Sequence, residues 1–211
     1  MIVGLSKGKQ NMNLFKHAQE VTMAEETTKL FFSKSINTVT IKEIAEHLGI
    51  GEATIYRHYK NKFNLVLSVA KYLQSKVEQR YFNIDKNLSG YEQLERFYYS
   101  YLEIYKDEPM YYKFINEFDA FIVMNDSIDM SNYEQGIDAF KNIFVDAYHK
   151  GLKDGSVKEI EDVDSFYFAT TLAIMSLCKK LADKDVLSQD SRLDKTKEIK
   201  VLIETILYRF K

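Results

Sequence analysis

The chain has 211 residues, 45% hydrophobic and 28% charged, a composition that provides for a substantial core and excludes an intrinsically disordered chain. One proline and 8 glycines are too few for a structure rich in strands and tight turns, so an all-α fold is expected. A single cysteine excludes a disulfide framework and a cysteine-rich zinc site and fits a cytoplasmic protein, while no apolar run approaches the ~20 residues of a membrane span.

The formal net charge of -2 hides an asymmetry. Residues 1–83 carry 12 basic against 7 acidic side chains, a net of +5, and residues 84–211 carry 17 against 24, a net of -7. A basic head on an acidic body suggests that the head meets a polyanion.

In chain order, residues 1–12 read as a mobile arm, with too short an apolar segment for a signal peptide. Helical periodicity begins near Asn13 and carries Met23, Thr27, Leu30 and Phe31 on one side. Ser35 to Thr38 breaks it. A short helix then runs from Thr40, an N-cap with Glu43 in the capping-box position, and buries Ile41, Ile44, Ala45 and Leu48. Gly49 stops it. A second short helix spans residues 51–59 and buries Ile55 and Tyr59, and a longer one starts near Lys62. Two short helices around a glycine, followed by basic residues, form a helix-turn-helix unit. The remainder reads as amphipathic helices at 91–106, 110–124, 132–154, 162–183 and 190–210, with breaks at Glu108-Pro109 and between Gly151 and Gly155.

On the second short helix the outward set is Glu52, Ala53, Thr54, Tyr56, Arg57 and His58. A hydroxyl, a phenol, a guanidinium and an imidazole on one exposed helix are equipped for phosphates and base edges. The start of the next helix, at Asn61-Lys62, offers backbone N–H groups and an ammonium to a further phosphate. Glu52 either accepts from a cytosine amino group or favours its own helix N-terminus. His17, His47 and His149 lack metal-ligand spacing, and no catalytic set or glycine-rich phosphate loop is present, so no metal, cofactor or enzymatic activity is expected.

Residues 23–73 resemble the DNA-binding domain of the tetracycline-repressor (TetR) family of bacterial regulators. The resemblance rests on Phe31, Thr40, Ile44-Ala45, Leu48-Gly49 and the run Ala53-Thr54-Ile55-Tyr56-Arg57-His58-Tyr59, followed by Lys62 and Leu65. It implies that Thr54, His58, Lys62 and Lys42 hold the DNA backbone, with Arg57 beside them, and that Glu52, Ala53 and Tyr56 face bases. The sequence departs from the family pattern at Thr27, Ser35 and Gly51, where alanine, glycine and a serine-like cap are usual. The implied domains are a helix-turn-helix domain at 13–62, a linking helix at 63–83, and a ligand-binding and dimerisation domain at 84–211.

The body is rich in aromatics, with 15 Tyr and 14 Phe in the chain. Buried tyrosines need hydroxyl partners, and the resemblance implies a cavity for a small apolar or aromatic effector. Its expected lining is Tyr98, Tyr101, Tyr105, Phe114, Phe118, Phe121, Phe140, Phe144, Phe168 and Cys178, with a plain core as the alternative for many of them. Glu103, Glu117 and Asp119 either serve a cationic ligand or face solvent. Cys178 is expected to be a small buried residue rather than a redox sensor.

The resemblance also implies a homodimer interface on the last two helices, at Phe166, Thr170, Ala173, Leu177, Leu181, Leu202, Ile203, Ile206 and Phe210. The whole implies a ligand-responsive repressor bound to a pseudo-palindromic double-stranded operator and free of membranes. A helical small-molecule carrier and a ligand-independent architectural DNA-binding protein stay open as alternatives.

Overall fold

The computed structural model describes residues 3–125, 131–183 and 192–211. Among the described residues the elements are α1 (Val3–Ser33), α2 (Ile41–Leu48), α3 (Glu52–Tyr59), α4 (Lys62–Tyr81), α5 (Gly90–Asp107), α6 (Pro109–Val123), α7 (Ser131–Asp154), α8 (Val163–Ala182) and α9 (Lys195–Tyr208). The fold is all-α, as the proline and glycine counts imply. Two boundaries differ from expectation. α1 begins at Val3 and so takes in most of the segment read as an arm, because nothing between Val3 and Asn13 is a strong helix breaker apart from two isolated glycines. The expected start of the last helix at residue 190 lies outside the described residues, and α9 is first seen at Lys195, capped by Asp194.

The chain divides into two compact units. The first comprises the chain up to Leu73 and the part of α6 from Glu117; the second comprises Gln74–Asn116 and the chain from α7 onward. The division therefore falls inside α4 and again inside α6. Phe118 and Phe121, expected in the effector cavity, belong with the first unit.

The first unit is built around α1, α2, α3 and the first half of α4. Its core holds Ala24, Leu30, Phe31, Ile36, Val39, Ile44, Ala45, Ile55, Tyr59, Leu65, Val66 and Val69, all buried. Phe63 of α4 stacks on Phe121 of α6 at 5.8 Å between ring centres. Thr40 caps α2 as the sequence suggests. Its hydroxyl accepts the Glu43 N–H at 3.1 Å, and the Glu43 carboxylate accepts the Thr40 N–H at 2.8 Å. Gly49 ends α2 at φ 66°, ψ 29°, in the left-handed region where glycine carries no Cβ penalty. Gly51, at the N-cap of α3, supplies no side-chain cap.

In the second unit an aromatic cluster fills the core. Phe97 meets Phe82, Tyr98, Tyr101 and Phe144 edge-on or tilted, and Phe144 stacks parallel to Tyr148. Such pairs add about 0.5–1.5 kcal/mol beyond the area they bury. α5 and α7 approach most closely where Gly90 meets Gly151. A Cβ on Gly90 would lie 2.0 Å from the Gly151 backbone nitrogen. Gly151 is thus an interior residue of α7 serving close helix approach rather than a break; the helix ends at Gly155, which has φ 75°. Asp154, the last residue of α7, and Ser156, just beyond the turn, accept the N–H groups of Gly90 and Tyr91 and so anchor the start of α5.

Candidate nucleic-acid interface

α3 is held from beneath by Ile55 and Tyr59, which are 0% and 5% exposed. The Tyr59 hydroxyl donates to the Glu20 carbonyl of α1 at 3.1 Å, and burial pushes the phenol up to about 12. With its inner face fixed, α3 leaves Glu52, Ala53, Tyr56 and Arg57 exposed and Thr54 and His58 half-buried. Tyr56 is 48% exposed, an unusual position for a large aromatic side chain. Lys42 stands exposed on α2, with Glu46 at 4.0 Å.

Beside this face an open groove of about 690 Å³ runs between α1 and the α2–α3 pair, and its lining includes Gln19, Glu26, His47, Thr54, Arg57 and His58. His47 places Nε2 3.1 Å from the Glu26 carbonyl. The His58 side chain is only 8% exposed, and its Nδ1 is buried without a hydrogen-bond partner, 3.8 Å from a Glu20 carboxylate oxygen.

Lys62 is placed differently from the other cations. It is half-buried, its Nζ donates to the Ile36 carbonyl, and the ammonium lies 5.9 Å from the centre of the Phe121 ring. Burial lowers its pKa below the ordinary lysine value, with Glu43 acting in the opposite sense. One of the three donors of the Lys62 ammonium is thus spent within its unit, on the Ile36 carbonyl. Lys60 was not singled out by sequence. It is exposed at the C-cap of α3 and adopts φ 65°; the run Lys60-Asn61-Lys62 was the signal for it. Asn61 accepts the Asn64 N–H at 2.9 Å and so caps α4.

Glu117 meets neither expectation raised for it. Its carboxylate accepts the Ile36 N–H at 2.8 Å, within the first unit. Glu103 and Asp119 are exposed.

Among the residues expected to line an effector cavity, Tyr98, Tyr101, Phe114, Phe144 and Cys178 are buried in the second unit, and Tyr105 and Phe140 are half-buried. Two of the hydroxyls are satisfied internally: Tyr98 pairs with Thr170 at 2.7 Å and Tyr105 donates to the Leu181 carbonyl at 3.1 Å. Phe168 instead points outward, 47% exposed, with the Lys141 ammonium over its ring. Burial pushes the Cys178 thiol up to about 12, which keeps it protonated and inert.

The expected dimer stripe divides as well. Ala173 is exposed and Phe166, Thr170, Leu177 and Leu202 are half-buried, whereas Leu181, Ile203, Ile206 and Phe210 are buried within their own unit. The physical reason is helical register: on α9 the most apolar side packs inward, and the exposed apolar residues are Val201 and Tyr208, with Phe168 and Leu172 on α8. No described helix is long and apolar enough to cross a membrane.

A profile of the family described as bacterial regulatory proteins, tetR family, matches residues 24–69. The HTH-type transcriptional repressor KstR2 of Mycolicibacterium smegmatis is 26% identical over 149 residues, covering 65% of this chain and 67% of that protein. The uncharacterized HTH-type transcriptional regulator YerO of Bacillus subtilis is 36% identical over 62 residues, 29% of this chain and 22% of YerO. In fold, the chain is similar to a Rhodococcus sp. protein assigned to the TetR family, with a TM-score of 0.68 at 15% identity over 90% of this chain and 99% of the other. It is also similar to the ketosteroid transcriptional regulator KstR2 of Mycobacterium tuberculosis, with a TM-score of 0.59 at 16% identity over 92% and 95%.

Proposed function

We propose, for a chain that belongs to the TetR family and is a DNA-binding transcriptional regulator, that it works in the cytoplasm as a homodimeric repressor released from a pseudo-palindromic operator by a small apolar or aromatic effector. The observation that carries the reading is the exposed face of α3, where Glu52, Ala53, Tyr56 and Arg57 stand free of the core beneath them. Arg57, Thr54, His58, Lys42, Lys62 and the newly noted Lys60 supply backbone contacts; Glu52, Ala53 and Tyr56 read base edges.

A homodimer supplies the second copy of α3. The exposed Phe168 and Leu172 of α8 and Val201 and Tyr208 of α9, extended by Ala173 and the half-buried Phe166, Thr170, Leu177 and Leu202, provide an apolar surface for pairing; Leu181, Ile203, Ile206 and Phe210 stiffen it from behind. The two recognition helices then read half-sites about 34–36 Å apart. The effector occupies the aromatic interior of the second unit, among Tyr98, Tyr101, Tyr105, Phe114, Phe140, Phe144 and Cys178. Repression, rather than activation, is supported by the described role of the M. smegmatis relative. Effector coupling of ~1–3 kcal/mol would weaken operator binding about 5–150-fold.

The test is selection of bound duplexes from random-sequence DNA, followed by titration at several salt concentrations. The reading expects an inverted repeat with half-sites one turn apart, and an affinity that falls steeply with salt. A monomer in solution, or duplex binding that does not respond to salt, overturns it.

A further inference from the structure

His58 Nδ1 and the Thr27 hydroxyl are the buried side-chain atoms that lack a hydrogen-bond partner among the described residues. Such an atom is costly unless something else meets it. Nδ1 faces a carboxylate: a Glu20 oxygen of α1 lies 3.8 Å away, beyond a hydrogen bond and within reach of an ion pair. Glu20 is itself held close to α3, because its backbone carbonyl accepts the Tyr59 hydroxyl. The imidazole also borders the open groove that Thr54 and Arg57 line. A phosphate seated at the mouth of that groove stands beside all three. The charged and titratable groups around the ring are Lys16, Glu20 and Glu26 on α1, His47 on α2, and Arg57 and Tyr59 on α3. Glu26 is engaged by Lys29 at 2.6 Å, His47 sits on the Glu26 carbonyl, and the exposed Lys16 only approaches Glu20, at 3.8 Å. Glu20 is therefore the carboxylate turned to the imidazole.

We infer that Glu20 is a positioning residue for His58: it holds the imidazole by Nδ1, favours the doubly protonated ring, and makes operator binding take up a proton at this pair. This deepens the DNA-binding reading and rests on it. A neutral ring serves only one side. With the proton on Nε2, the buried Nδ1 turns a lone pair to an anion; with the proton on Nδ1, Nε2 turns its lone pair to the phosphate. The imidazolium serves both, Nδ1–H toward the Glu20 carboxylate and Nε2–H toward a phosphate oxygen. Without DNA one anion faces the ring; with DNA two do, and each opposite charge favours the charged form. The proton comes from solvent, so duplex affinity increases as pH falls through the imidazole range.

The experiment uses the full chain, a duplex selected by the wild-type protein, and the variants Glu20→Gln, His58→Gln and His47→Gln. Affinity is measured from about pH 7 to about pH 8.5 at one salt concentration, and proton uptake by calorimetry in buffers of different ionisation enthalpy. Wild-type affinity should rise by up to about tenfold per pH unit for each protomer bound as pH falls, with uptake approaching one proton per protomer. Glu20→Gln and His58→Gln should each lose most of that dependence, whereas His47→Gln should keep it. Nitrogen NMR of the His58 ring in the complex should show both ring nitrogens protonated in the wild type and one in Glu20→Gln, a signature that a purely structural role would not give. A wild-type complex that takes up no proton, or Glu20→Gln with the wild-type pH slope, would overturn the inference. So would a pH slope that disappears in His47→Gln. Wild-type duplex binding that ignores salt at every pH would instead overturn the function reading; salt-sensitive binding with no pH slope sinks the inference alone.

Discussion

The two units treat their tyrosines in opposite ways. Tyr56 in the first unit is 48% exposed on a helix of 8 residues, whereas Tyr98, Tyr101 and Tyr112 in the second are 0%, 6% and 0% exposed. Burial raises the pKa of all three of the latter, and two of their hydroxyls are matched inside the unit, Tyr98 with Thr170 and Tyr112 donating to the Tyr101 carbonyl at 2.8 Å. A phenol whose ring is already packed contributes to stability; one left standing on a short helix with its ring in solvent is held for something else. The same residue type thus marks an exposed helix face in one unit and a cohesive core in the other.

That contrast breaks first in the core. Phe144→Ala removes a fully buried ring that touches Phe97, Tyr98, Tyr148, Tyr167 and Phe210. It should cost about 3–5 kcal/mol in urea unfolding, while replacement of the exposed Tyr56 by Ala should leave stability within about 0.5 kcal/mol. Similar costs for the two would erase the distinction.

Gly90→Ala comes next. The added Cβ would meet the Gly151 backbone at 2.0 Å, with no flexible side chain to yield. A loss of about 1–3 kcal/mol is expected, whereas an unchanged melting temperature would mean that α5 and α7 do not approach as described.

The first unit depends more on its caps. Thr40→Ala should cost about 1 kcal/mol. The Lys34 ammonium first, and then the bonds from Thr40, hold the Glu43 carboxyl down to about 2 from an ordinary 4.5. A depressed carboxylate contributes stability that is complete above the unfolded value and is lost as pH falls toward the folded one. Acid unfolding between pH 4.5 and 2 should therefore be less steep in Glu43→Gln than in the wild type. An identical acid limb in the two proteins would mean that the cap carries no charge dependence.

The smallest effect runs the other way. The Thr27 hydroxyl is buried without a partner, at a position where the family usually has alanine. Thr27→Val keeps the shape and removes the unmet hydroxyl, so stability should rise by about 1 kcal/mol. A loss on this substitution would show that the hydroxyl has a role in the folded state.

Much of the first unit was legible because its signals are local. The Thr40–Glu43 box and the Gly49 stop depend on residues a few positions apart, and the structure realises both; of the outward set on α3, Glu52, Ala53, Tyr56 and Arg57 are exposed, whereas Thr54 is half-buried and the His58 side chain turns inward. The same spacing at Ser89 and Glu92 forms a second capping box, at the start of α5, and was equally readable.

What sequence could not yield depends on residues far apart in the chain. The bond from Ile36 to Glu117 spans 81 positions, and no periodicity announces it. The bond from Lys62 to the Ile36 carbonyl spans 26 positions, and the motif that carries Lys62 does not announce it. On α9 and just past its end, Ile203, Ile206 and Phe210 form a clear apolar stripe, but periodicity cannot tell whether a stripe faces its own unit or a second copy of the chain.

The most direct test of the central claim, that the exposed side of α3 reads a duplex, is to compare wild-type protein with Tyr56→Ala on a selected operator and on random DNA at one salt concentration. The account predicts a loss equivalent to about 1–3 kcal/mol on the operator and a much smaller loss on random DNA. Equal losses on both, or none on either, would contradict it.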